Sequence, residues 1–188
     1  MKVGLINCVT KGLATETKIL ESIFYQYFPH IEFSLFPIPG GSEAHKLDVN
    51  FFYNYRLINW LRNQNIVMTI ELFMPNIFAY CKSLGIKTIW RPNHEWIPIE
   101  QEIINQFPMI DIIMAPQTNC YNFMKEKFQL NNLINNPWIF NLPVLEKQLN
   151  TEKPDKTYIL HNAGARGVGD RRNTALIFFS AFLFIRRK

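Results

Sequence analysis

Short apolar runs alternate with segments of helical period along most of the chain. Lys2–Val9 is small, apolar and nearly continuous, as a parallel strand buried on both faces should be. Thr10–Thr15 is a polar turn containing Gly12. Glu16–Tyr27 has helical spacing, with Ile19 over Ile23 and Leu20 over Phe24 and Tyr27. Thr15 is placed to cap that helix, Glu16 suits its positive end, and Pro29 lies just beyond it. Ile31–Phe36 alternates, with Ile31, Phe33 and Leu35 on one side, and predicts a second strand before a Pro/Gly loop at Pro37–Ser42. Phe51–Arg62 predicts a helix with Phe51, Tyr55, Ile58 and Leu61 as its stripe. Ile66–Ile70 predicts a third strand that ends at Glu71. A helix over Asn76–Leu84 is stopped by Gly85, a residue suited to the left-handed position after a helix. Then come a strand at Lys87–Trp90, a loop at Arg91–Pro98, a helix at Ile99–Phe107 and a strand at Ile110–Met114. A helix at Thr118–Phe128 with Thr118 as its cap and a short strand at Leu133–Ile134 complete the series.

Regular alternation of strand and helix predicts an α/β fold, a Rossmann-like doubly wound parallel sheet, over residues 1–142. Residues 143–156 turn polar and charged and read as a linker. Beyond them lie one strand (Tyr158–Leu160), one loop (Asn162–Arg171) and one apolar helix (Asn173–Phe184). A single strand and helix bury too little surface to make a domain. Residues 157–188 are therefore expected to be the incomplete start of a second α/β domain.

Composition narrows the function classes. A chain of 188 residues that is 48% hydrophobic has material for a sizeable core, which argues against disorder. The net charge of +5 favours anionic partners, namely phosphates, nucleotides, nucleic acid or an anionic membrane surface; a solvated basic surface accounts for it equally well. Cys8, Cys81 and Cys120 are far apart and match no zinc or disulfide spacing, which points to buried free thiols in a reducing compartment. Ala175–Ile185 is apolar but shorter than the roughly 20 residues that cross a bilayer. The expected location is cytoplasmic, with peripheral membrane contact as the alternative.

Candidate chemistry gathers where parallel strands end, the place where open α/β sheets bind ligands. Trp90–Trp96 brings an arginine, a histidine, a carboxylate and two indoles into one turn. His94 can accept a proton or donate a hydrogen bond near neutral pH, or can simply be satisfied by loop backbone. Glu95 can orient His94 or pair with Arg91. Trp96 offers a face to a sugar ring or to the core, and Trp90 suits the core better. Glu71, ending the third strand, can bind hydroxyls or be a solvated strand end. Gly12 permits close approach at the first turn or is a plain turn residue. The glycine loop before the last helix, with Gly164, Arg166, Gly167, Arg171 and Arg172, can cradle a phosphate with backbone N–H groups and guanidinium charge, or be an ordinary turn. No histidine or cysteine has a partner at metal spacing.

Tyr158–Gly164, Gly167-Val168 and Arg171–Thr174 together resemble the start of the second domain of GT-B glycosyltransferases of the group-1/family-4 type. Gly85–Trp96 is similar to that family's strand and acceptor-side loop, Asp111–Thr118 to its late strand and capped helix, and Asn136-Pro137-Trp138 to its proline step before the interdomain linker. Arg172 stands where the family usually has lysine, and Asn173 where it often has glycine. The resemblance implies transfer of a sugar from a nucleotide sugar to a hydroxyl acceptor (a glycan, a lipid-linked sugar or a protein), with retention of configuration. It implies no essential metal and no cofactor besides the nucleotide-sugar substrate. His94 would face the transferred sugar with Glu95 beside it; Gly164, Arg166, Gly167 and Arg172 would contact the donor diphosphate; Gly12, Glu71 and Trp96 would meet the acceptor. The family's paired glutamates fall beyond residue 188, so this chain alone is expected to be inactive as a transferase. The alternatives are a truncated binding module without catalysis and an unrelated nucleotide- or nucleic-acid-binding α/β protein, with nucleic acid the less expected partner.

Overall fold

A computed structural model describes residues 1–9, 11–93 and 97–136. The predicted linker and second unit, 143–188, lie outside the described residues. The described chain forms β1 (Lys2–Cys8), α1 (Lys11–Tyr27), β2 (Glu32–Ile38), α2 (Gly41–Val49), α3 (Tyr55–Arg62), β3 (Ile66–Ile70), α4 (Pro75–Ser83), β4 (Lys87–Arg91), α5 (Gln101–Ile104), β5 (Ile112–Ala115), α6 (Thr118–Phe128) and β6 (Leu133–Asn135). Single 3₁₀ turns at Phe51–Tyr53 and Phe107–Met109 precede α3 and β5. The six strands are all parallel and run in the order β2-β1-β3-β4-β5-β6. This is the Rossmann-like sheet that the alternation predicts.

The order reverses between β1 and β3, because the chain leaves β1 in one direction to make β2 and returns to the other side for β3. Crossovers that keep one hand then place α1 on one face and the later helices on the other. Side-chain alternation along β1 follows that division. Leu5 packs with Leu20 of α1 and with Met68 and Ile70 of β3. Ile6 and Cys8 face a larger cluster with Ala44, Leu57, Leu61, Ile77 and Cys81 from α2, α3 and α4. A third cluster centres on Trp90 and Phe107 and takes in Cys120 and Met124 of α6. The Trp90 indole is fully buried, 5.0 Å from the Phe73 ring and 5.2 Å from Phe107, so the core reading of Trp90 holds. All three cysteines are buried free thiols, as their spacing predicts. Gly4 has a steric reason: a Cβ there would lie 2.5 and 2.8 Å from carbons of the Trp60 ring.

Several boundaries differ from the sequence expectation. Helix α1 starts at Lys11, so Gly12 lies in its first turn and Thr15 is inside the helix rather than capping it. Glu16, expected at the positive end of the helix, lies past its first turn and is buried. Strand β2 continues through Pro37, where the sequence predicts a loop; at the edge of a sheet the missing N–H is tolerated. Helix α2 escapes prediction because a carboxylate takes the place of an apolar stripe. Among its described side chains only Ala44 and Asp48 are buried. Asp48 caps α4, accepting hydrogen bonds from the N–H of Asn76 (3.3 Å) and of Ile77 (2.9 Å). The predicted helix Phe51–Arg62 is divided at Asn54, whose Oδ1 accepts from Leu57 N at 3.0 Å and starts α3 afresh. The predicted helix Ile99–Phe107 is shortened to Gln101–Ile104, as Pro98 and Pro108 restrict the residues before them. Gln117, not Thr118, takes the cap position of α6; the Thr118 hydroxyl accepts from Asn135 Nδ2 instead.

At the amino edge of the sheet, Asp111 joins β4 to β5. Its carboxylate accepts from Lys87 Nζ (2.8 Å), Thr88 N (2.9 Å) and Thr88 Oγ1 (3.2 Å). Partial burial opposes its ionisation, but the Lys87 and Thr88 donors outweigh that and hold the carboxyl below its usual range. A depressed carboxylate stabilises the fold above its unfolded pKa of about 3.9. That contribution is lost as pH falls through the lower, folded pKa. Asp111→Asn is therefore expected to flatten the acid side of the stability–pH curve and to leave its neutral-to-basic shape alone, as read by urea denaturation between pH 3 and 8. An unchanged acid limb would contradict this.

Candidate functional site

The carboxyl ends of β1, β3 and β4 meet at the point where the strand order reverses, and three polar devices shape that rim. The first is Asn7. Its side chain is fully buried at the end of β1. Its Oδ1 accepts from Cys8 N at 2.9 Å, while Nδ2 donates to Thr17 Oγ1 at 3.0 Å and to Leu13 O at 3.3 Å. Thr17 Oγ1 also donates to Leu13 O at 2.9 Å. This network fastens the first turns of α1 to β1, which explains the helix's early start.

The second device is an ion pair. Arg91, the last residue of β4, turns its side chain toward α1 and pairs through Nη1 with Glu16 Oε1. The residues are only 5% and 8% exposed. Burial lowers the Arg91 pKa, since taking the charged form out of water is costly, and the adjacent carboxylate supplies the counter-charge.

The third device is the turn after β3. Thr69 Oγ1 donates to Leu72 O at 2.7 Å and closes the turn. Inside it Glu71 takes φ 62°, the left-handed region that costs a non-glycine residue of order 1 kcal/mol. Two bonds hold it there. Glu71 N donates to Arg91 O at 2.8 Å, and Asn93 Nδ2 donates to Glu71 Oε1 at 3.0 Å. Glu71 is half-buried. Its Oε2 has no hydrogen-bond partner among the described residues.

Glu71 also acts on its neighbour. Burial pushes the Cys8 thiol up, and the Glu71 charge pushes it the same way. Cys8 is thus a neutral thiol at neutral pH and is unsuited to nucleophilic attack. The rim offers a fixed carboxylate oxygen, an amide and a buried charge pair behind them. Such a set accepts hydrogen bonds from hydroxyls and can assist proton removal from one. Among the described residues no group of His, Cys, Asp and Glu is arranged to hold a metal ion, and no helix is long and apolar enough to cross a membrane.

Of the residues singled out from sequence, Glu71 and Gly12 both fall on this rim, Gly12 in the first turn of α1. His94, Glu95, Trp96, Gly164, Arg166, Gly167 and Arg172 lie outside the described residues. Arg91 is paired with Glu16, which sequence offered only as a helix-end residue. Asn7, Glu16 and Asn93 were missed as site residues. The available signal was polarity out of place: an asparagine in an apolar strand, and a carboxylate between the inward positions of an amphipathic helix.

The sequence matches no protein-family model, and no curated protein matches it.

Removing Arg91 from the buried pair leaves the Glu16 carboxylate without its counter-charge. Arg91→Met alone is expected to cost about 3–5 kcal/mol of stability, whereas Arg91→Met with Glu16→Leu recovers most of it. Urea unfolding of the four members of the cycle measures the coupling. Additive losses would show that the two side chains are not energetically linked.

Proposed function

We propose that the described domain is the acceptor-binding part of a glycosyltransferase that moves a sugar from a nucleotide sugar to a hydroxyl group. The observation that carries this reading is Glu71, a carboxylate held in a costly backbone conformation at the switch point of a parallel sheet, with one oxygen tied to Asn93. Strain of this kind persists when the surrounding structure imposes it, and it concentrates at ligand sites. A fixed carboxylate suits an acceptor hydroxyl, because it both orients the O–H and favours its deprotonation as bonding proceeds. The resemblance of Gly85–Trp96 and Tyr158–Thr174 to the GT-B family supplies the rest of the reading.

In the proposed reaction the acceptor oxygen forms a bond to the anomeric carbon of the donor as the bond from that carbon to the diphosphate oxygen breaks. The acceptor proton is released, and a nucleoside diphosphate leaves. Glu71, with Trp96 and Gly12, binds the acceptor. His94, oriented by Glu95, hydrogen-bonds the transferred sugar. Gly164, Arg166, Gly167 and Arg172 meet the diphosphate, where guanidinium charge offsets the negative charge of the leaving group. The acceptor belongs to the hydroxyl-bearing class of glycans, lipid-linked sugars and proteins.

The test pairs a binding screen of nucleotide sugars and glycan acceptors on the whole chain with a transfer assay. An acceptor is expected to bind, and Glu71→Gln is expected to weaken it by about tenfold or more while leaving the fold intact by circular dichroism. Failure of every hydroxyl acceptor to bind, or binding indifferent to the Glu71 substitution, would refute the acceptor reading. Donor and acceptor binding without transfer would identify the chain as a binding module.

A further inference from the structure

A second concavity opens at the carboxyl end of β2, and the acceptor proposal makes no use of it. It has a volume of about 600 Å³, within the ~300–1,000 Å³ typical of small-molecule sites. Its apolar lining includes Phe36, Pro37 and Leu47, and Tyr53, Tyr55 and Arg56 also border it. Tyr53 and Tyr55 are 84% and 78% exposed, and neither hydroxyl makes a hydrogen bond among the described residues. Both phenols border the apolar floor, so each presents a ring face and a hydroxyl to the groove.

The polar groups are arranged in complementary fashion. Asn54 Oδ1 is committed to the N–H of Leu57, leaving its amide N–H groups as donors. Asn50 Nδ2 is committed to Lys46 O, leaving its carbonyl oxygen as an acceptor. A hydroxyl both donates and accepts, so the two amides and two phenols suit a ligand dense in hydroxyls with apolar C–H faces between them. The charges decide more. Lys46 is paired with Glu43 at 2.9 Å, and the two cancel. Arg56 has no carboxylate partner among the described residues, and its guanidinium carbon stands 5.9 Å from the centroid of the Phe36 ring. One guanidinium is left over. A nucleic-acid strand brings a phosphate at every step and is held by several cations. A single spare arginine suits an isolated acidic group.

We propose that this groove binds a short acidic oligosaccharide, with its ring faces on the Tyr53 and Tyr55 side chains, its hydroxyls on Asn50 and Asn54 and its acidic group on Arg56. The site stands apart from Glu71 and does not depend on the transferase reading.

Calorimetry on the whole chain tests it with four probes: a tetrasaccharide alternating glucuronic acid and N-acetylglucosamine, the neutral N-acetylglucosamine tetrasaccharide, inorganic phosphate and an oligothymidylate. The acidic tetrasaccharide is expected to bind about tenfold or more tighter than the neutral one. Arg56→Gln is expected to abolish that preference, Tyr53→Ala with Tyr55→Ala to weaken both sugars, and Lys125→Gln, which removes a cation from α6 outside the groove, to change neither. Thermal melts confirm that the variants fold. Equal affinity for the two sugars, no binding of either, an unaltered preference in Arg56→Gln, or loss of the preference in Lys125→Gln would overturn the proposal. So would tighter binding of phosphate alone or of the oligothymidylate, which would mark an anion site or a nucleic-acid site instead.

Discussion

Arg91 acts on both sides of the rim, and the rest of the site depends on it. Its carbonyl oxygen receives the Glu71 N–H and so extends the β3–β4 ladder one step into the turn. Its side chain leaves the plane of the sheet and pairs with Glu16 of α1. One residue at the end of β4 thereby fixes the backbone that carries the site carboxylate and the helix that flanks the crevice. Burying both charges costs solvation that neither hydrogen bonds nor apolar contacts of similar volume would require. A pair of apolar residues would pack the same space at lower cost. What the ion pair adds is direction: a guanidinium and a carboxylate meet in few geometries, whereas apolar side chains slide.

The same logic governs Glu71. A left-handed φ at a glutamate is unfavourable by itself, and glycine or asparagine would occupy that place more easily. The surrounding bonds from Thr69, Arg91 and Asn93 determine the turn, and the carboxylate is aimed as a result. Burial, with the Glu71 charge added to it, keeps the Cys8 thiol protonated, so among the described residues of the rim the carboxylate is the group suited to proton transfer. Groove and crevice share one origin. Both lie at the carboxyl ends of parallel strands, where loops are free to vary without disturbing the ladder.

The parallel sheet was legible because its strands are apolar runs bounded by turn residues, and because Gly85 takes φ 73° where a helix stop was expected. The Glu71 position was legible for the same reason, as a carboxylate that closes an apolar run. The parts that escaped share a cause in long-range pairing of polar groups. Glu16 looks like a helix-end acid until Arg91, distant in sequence, is brought to it. Asp48 hides α2 by filling an inward position with a charge whose partners are the N–H groups of another helix. Asn7 reads as a break in a strand, yet it ties that strand to α1. The groove was invisible because its phenols and its spare arginine acquire meaning only when α2, the 3₁₀ turn and α3 stand around the end of β2.

The central claim is that ligand recognition depends on the strained rim around Glu71. Backbone-amide NMR of the whole chain during titration with methyl β-glucopyranoside, the simplest pyranose that presents its hydroxyls without charge, tests it most directly. The account predicts saturable shifts at Cys8, Glu71 and Asn93. Shifts confined to the amino edge of the sheet, around Asn65, Lys87 and Asp111, or a rim that does not respond at any concentration, would contradict it.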